Sequence, residues 1–217
     1  MIIKTLKDPL SGLTHFAGLL LSIAGLVLLL TNPAVSGKPW HLVALTIFGT
    51  SLILLYTAST LYHWLQLSSQ ATGRLRKLDH SMIFLLIAGT YTPLCLIPLR
   101  GAWGWSLFGS VWGLALIGIC FKSIWFEAPR WLSTMIYTIM GWLVVIAICP
   151  LKQLVPEAGL GWLLAGGLSY TTGAIIYGVK KPNPWPNVFG FHELFHLFVL
   201  LGSICHFWMI YWYIAVI

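Results

Sequence analysis

The chain has 217 residues, of which 59% are hydrophobic and only 8% charged. Soluble domains carry roughly a quarter of their residues charged, so this composition excludes an ordinary water-soluble fold and belongs to the membrane class. Twelve Lys and Arg oppose five Asp and Glu, a formal charge of +7. The basic residues lie singly or in short groups between apolar runs and form no stripe interleaved with aromatics. That pattern argues against a nucleic-acid partner and reads instead as topology information.

A hydrocarbon core of about 30 Å needs about 20 helical residues to cross. Apolar runs of that length predict an all-α, single-domain membrane bundle of seven spans covering residues 1–217, at about 14–31, 41–65, 80–98, 103–121, 131–150, 159–179 and 192–215. The first run follows Lys4 and Lys7 and ends at Asn32-Pro33. Ala34-Val35-Ser36 vaguely resembles a signal cleavage site, but Phe16 to Leu30 is long for a signal and the rest of the chain is itself membranous, so the expectation is a retained span. Arg100-Gly101 separates the third run from the fourth, and Pro182, Pro184 and Pro186 forbid helix before the seventh. Cys95, Cys120, Cys149 and Cys205 fall inside or at the end of apolar runs without a CxxC pair, so neither a disulfide framework nor a cysteine zinc site is indicated. Trp40, Trp103, Trp105, Trp131, Trp162 and Trp212 lie near segment ends, where aromatic belts meet headgroups.

The side of the amino terminus collects Lys4, Lys7, Arg74, Arg76, Lys77, Lys122, Arg130, Lys180 and Lys181, whereas the opposite side has Lys38, Arg100 and Lys152. Positive residues stay inside, so the amino terminus is expected in the cytoplasm and the carboxyl terminus outside.

Ionisable groups near spans are costly and usually face a protein interior or cavity. The alternating spans bring His15, His63, Asp79, His80, His192, Glu193 and His196 toward the cytoplasmic ends of spans one, two, three and seven. His192 and His196 are four apart, hence on one helical face, and both imidazoles can address one ion. Two such histidines also arise often as interfacial residues. The order H-E-x-x-H is shared with zinc proteases, but no downstream ligand or soluble catalytic domain follows. Ser59 and His63 repeat the spacing near the end of span two, where a serine bonding back to its own helix is the bland alternative. With His63 as third nitrogen, the set leaves a fourth tetrahedral position open, the pattern of catalytic zinc. Asp79 reads either as a helix N-terminal carboxylate satisfied by free amides or as a partner of water beside the metal. His80 is given no role, His15 is a brace for the site, and His206 is a packing residue. His41 lies on the opposite side.

Ser59-x-x-x-His63, Leu78-Asp79-His80 and His192-Glu193-Leu194-Phe195-His196 together resemble the haemolysin III family, the bacterial branch of the progestin and adipoQ receptors. Ala58 to His63, Ala88-Gly89-Thr90-Tyr91-Thr92-Pro93 and Cys205-His206-Phe207 support the resemblance, which runs from about Thr14 to the end. It implies zinc on His63, His192 and His196, with Asp79 holding water beside the metal and Ser59 nearby. One departure is Asp8-Pro9-Leu10-Ser11-Gly12, where relatives often carry Glu and Asn ahead of Thr-His, so the resemblance assigns this segment no role.

The resemblance, which extends to alkaline ceramidases, and the depth of the site suggest a zinc-dependent hydrolase of a lipid amide or ester in the bacterial inner (plasma) membrane. Asp79 and Ser59 would be its catalytic residues, membrane lipids its partners, and the helix bundle would take the substrate's acyl chain. A non-enzymatic sensor or regulator of membrane state with a structural zinc is the alternative. Pore formation is a weaker one, because the spans lack the polar stripes of a conducting path.

Overall fold

The computed structural model describes residues 6–125, 127–186 and 188–217; Lys4, counted above among the inside charges, lies outside the described residues. Every named element among them is helical: α1 (Pro9–Leu30), α2 (Pro39–Trp64), α3 (Ser69–Leu96), α4 (Ala102–Ile124), α5 (Arg130–Trp142), α6 (Ile148–Leu154), α7 (Glu157–Val179) and α8 (Phe191–Met209). α5 and α6 are joined by a 3-10 turn, Leu143–Ala147, and form one segment, so seven helical segments build the bundle, five of them long and apolar enough to cross a membrane. α8 continues through a π-helical turn, Ile210–Ile214.

The starts are written locally. Pro stands at the first helical position of α1 and α2, where its missing N–H costs nothing. The Ser68 side chain caps α3 by accepting from the Ala71 amide at 3.4 Å. α3 stops within four residues of Pro93, and α7 ends with Lys180 in the left-handed region at φ 57°. Two boundaries differ from the sequence expectation. α1 begins at Pro9 rather than 14, and α3 begins at Ser69 rather than 80, because the basic stretch Arg74–Lys77 extends the span as helix instead of forming a loop. Asp79 therefore stands in the third turn of α3, with its neighbouring amides already bonded within the helix. The N-terminal-carboxylate reading of Asp79 is overturned.

Leu20, Leu21, Val27, Leu116, Ile117, Ile139, Ile146 and Ile175 are exposed on the outside of the bundle, a surface suited to lipid and not to water. Inside, α2 packs against α1 and α3, α7 against α8, and α1 also reaches α8. Small residues allow the close approach, as is usual where helices meet in a membrane. A Cβ on Gly12 would run into the Trp64 ring, and one on Gly166 into the His206 ring. The first of these contacts draws the start of α1 onto the end of α2, where the polar residues lie.

Candidate metal centre

The end of α2 and the start of α8 present His63, His192 and His196 to one another, each with a ligand nitrogen within 4.8 Å of the others. The Nε2 atoms of His63 and His192 are 3.2 Å apart. Two nitrogens about 2.0–2.1 Å from a tetrahedral ion stand roughly 3.3 Å apart, so this edge already has the required length. Two of the three outer nitrogens are occupied in the way metal ligands need. His63 Nδ1 donates to the Asp8 carboxylate at 3.0 Å, and His196 Nδ1 donates to the Ser11 carbonyl at 3.1 Å. A carboxylate and a carbonyl can only accept, so both protons sit on Nδ1 and both Nε2 atoms keep their lone pairs. Neutral imidazoles with inward lone pairs are what a divalent cation takes, and the three residues fit a metal.

α1 holds this arrangement. Asp8 spends its carboxylate on His63 rather than on capping its own helix, while the Asp8 amide donates to the His63 carbonyl at 2.8 Å. Ser11 Oγ donates to Glu193 at 2.6 Å, and the other Glu193 oxygen accepts from the Gly190 amide at 2.8 Å, closing the first turn of α8. Glu193 thus anchors the helix that carries two of the histidines. Asp8 and Ser11 lie in the segment to which the resemblance assigns no role. The only signal there was a carboxylate and a hydroxyl just ahead of Thr14-His15.

The remaining sequence candidates separate. His15 is buried, stacks on His196 with ring centroids 3.6 Å apart and an interplanar angle of 9°, and bonds through Nδ1 to Ser59 Oγ at 2.7 Å. Ser59 also faces Asp79, so Asp79, Ser59, His15 and His196 form a continuous polar path across α3, α2, α1 and α8. His80 donates to the Arg76 carbonyl at 2.8 Å and lies on the cavity wall beside Asp79, outside the three-histidine set. His206 donates to the Gly202 carbonyl at 2.8 Å and stacks on Tyr170, the packing behaviour expected of it. His41 sits at the start of α2, remote from the others.

The path opens on a cavity of about 190 Å³, lined by Ser59, Asp79, His192 and His196 at one end and by Thr90, Tyr91, Trp142, Tyr170 and His206 further in. Tyr91 follows Asp79 by twelve residues on α3, which at helical rise is about 18 Å. The cavity therefore extends well into the bundle, and by the same measure a single water needs only about 10–15 Å³.

A seven-helix membrane bundle with a three-histidine cluster that could bind a metal ion defines the class of protein. The profile of the family described as Haemolysin-III related matches residues 3–207, and the chain belongs to that family. It is 41% identical to a hemolysin-3 homologue of Bacillus subtilis over 96% of this chain and 95% of that protein. It is also 41% identical to hemolysin-3 of Bacillus cereus, over 96% and 92%. A more distant relative is the adiponectin receptor protein of Drosophila melanogaster, 26% identical over 89% of this chain and 48% of that one. With these relatives and its apolar helices, the chain is a multi-pass protein of the plasma membrane.

Proposed function

We propose that the protein is a zinc-dependent hydrolase that cleaves an amide or ester of a membrane lipid. The observation that carries this reading is a three-nitrogen set whose neighbouring cavity also holds a carboxylate, Asp79, and a hydroxyl, Ser59. Three imidazoles with one tetrahedral position left over suit zinc, and His63, His192 and His196 would hold it. Bound there, the ion supplies Lewis acidity toward a carbonyl and makes water a nucleophile near neutral pH. The protein's own groups supply the rest. Asp79 takes the proton of the attacking water and returns it to the leaving amine or alcohol, while Ser59 donates a hydrogen bond to the developing oxyanion. The acyl chain lies along the inner part of the cavity, which keeps bulk water from the reacting bond.

Purified protein in lipid nanodiscs, offered N-acyl and O-acyl lipids, should release fatty acid. Asp79→Ala should keep its metal and lose the release. Fully loaded protein that releases nothing from either class would contradict the reading. A non-enzymatic regulator with a structural zinc is the second reading, favoured by the way the ligands join α2 to α8 while Asp8 and Ser11 tie α1 to both.

A further inference from the structure

The wall of the cavity nearest His192 is basic. Arg76 from α3, Lys122 from the last turn of α4 and Arg130 from the start of α5 all line it. All three act electrostatically on His80, so they share one neighbourhood although they come from three helices. Arg130 lies over the Tyr177 ring at 4.6 Å and near Phe191 at 5.6 Å, which fixes its guanidinium against the start of α8. Tyr177 in turn neighbours His192, with ring centroids 5.9 Å apart. The Nη1 atom of Arg130 is buried and has no hydrogen-bond partner. Among the described lining residues, Asp79 is the one carboxylate, and it lies 3.7 Å from His80 Nδ1.

Three cations converging from separate helices on a chamber with a largely apolar surface describe a receptor for an anionic amphiphile. A zwitterionic headgroup would bring a cation against them, and a neutral one would leave Arg130 Nη1 unpaired. A phosphate offers several acceptor oxygens, enough for a guanidinium fork and an ammonium together. We propose that the cavity selects an anionic acyl lipid with a terminal phosphate, that phosphate held by Arg76, Lys122 and Arg130 and the acyl chain in the inner chamber toward Tyr91 and Tyr170. The phosphate would then sit one aromatic ring, Tyr177, away from His192. That separation lets the acyl linkage reach the histidine cluster while the headgroup remains at the basic wall. This inference names a substrate class for the hydrolase reading and rests on it for turnover, but the binding it predicts does not require turnover.

The test measures equilibrium binding to the full-length protein in detergent micelles with three probes: dioctanoyl phosphatidate, dioctanoyl phosphatidylcholine and inorganic phosphate. Phosphatidate should bind at least about tenfold more tightly than phosphatidylcholine, the scale of one charge-assisted hydrogen bond lost. Inorganic phosphate should compete only weakly, because it leaves the apolar chamber unfilled; competition equal to that of the lipid would mean an anion site and overturn the lipid assignment. Arg130→Gln and Lys122→Gln should each lower phosphatidate affinity by about tenfold or more, with Arg130→Lys intermediate. Arg74→Gln and Lys180→Gln, basic positions outside the cavity, should change nothing. Should Arg130→Gln fail to fold, Lys122→Gln carries the test. Equal affinity for the two lipids, or equal losses at Arg74 and Lys180, would overturn the proposal. Metal content read on the same samples keeps the two ideas apart: selective binding without metal defeats the hydrolase reading alone, and metal without selective binding defeats this one alone.

Discussion

Removing the Asp8 carboxylate should weaken metal binding without touching any ligand. His63 Nδ1 donates to Asp8 at 3.0 Å, and that bond fixes both the tautomer and the ring orientation that aim Nε2 inward. Loss of such a partner typically costs 10–100-fold in metal affinity. Here the Asp8 side chain is 41% exposed and is shared with Lys7 Nζ at 3.3 Å, so solvent and the lysine already screen it. The lower end of the range applies: Asp8→Ala should weaken binding about tenfold, or about 1.4 kcal/mol. Asp8→Asn keeps an acceptor oxygen but no charge and should fall between the variant and the wild type. Competition for zinc against a chromophoric chelator measures this directly. Wild-type affinity in Asp8→Ala would refute the role assigned to the first turn of α1.

Two further substitutions probe the surroundings. His15→Phe preserves a ring against His196 but removes the hydrogen bond to Ser59; metal content should stay unchanged while lipid cleavage slows roughly fivefold, the effect of about 1 kcal/mol at one hydrogen bond. Gly166→Ala drives a methyl into the His206 ring and should lower stability by about 1–3 kcal/mol, read as a drop in the thermal midpoint in detergent. Gly161→Ala, with open space at the same helix, should show no such drop.

The seven spans were legible because about 20 apolar residues between Pro, Gly and charge breaks can hardly do anything else in this composition. The start of α3 was not, because Arg74, Arg76 and Lys77 lower the local hydropathy although they are good helix formers at a membrane surface. That misplacement also cast Asp79 as a cap. His192 and His196 were visible through their spacing on one helix, while joining them to His63 needed both the topology and the family pattern. Asp8 and Ser11 were hidden for a different reason. Their contacts with His63, His196 and Glu193 span 55 to 185 positions in the chain and leave no local period. The basic wall was equally obscure, since Arg76, Lys122 and Arg130 serve as ordinary inside charges in a linear reading and converge only when α3, α4 and α5 are packed.

The three-histidine centre is tested most directly by its metal. Elemental analysis of the purified protein should find about one zinc per chain, and His63→Ala, His192→Ala and His196→Ala should each lose most of it while remaining folded in detergent. Unchanged metal content in all three variants would contradict the three-histidine centre and everything built on it.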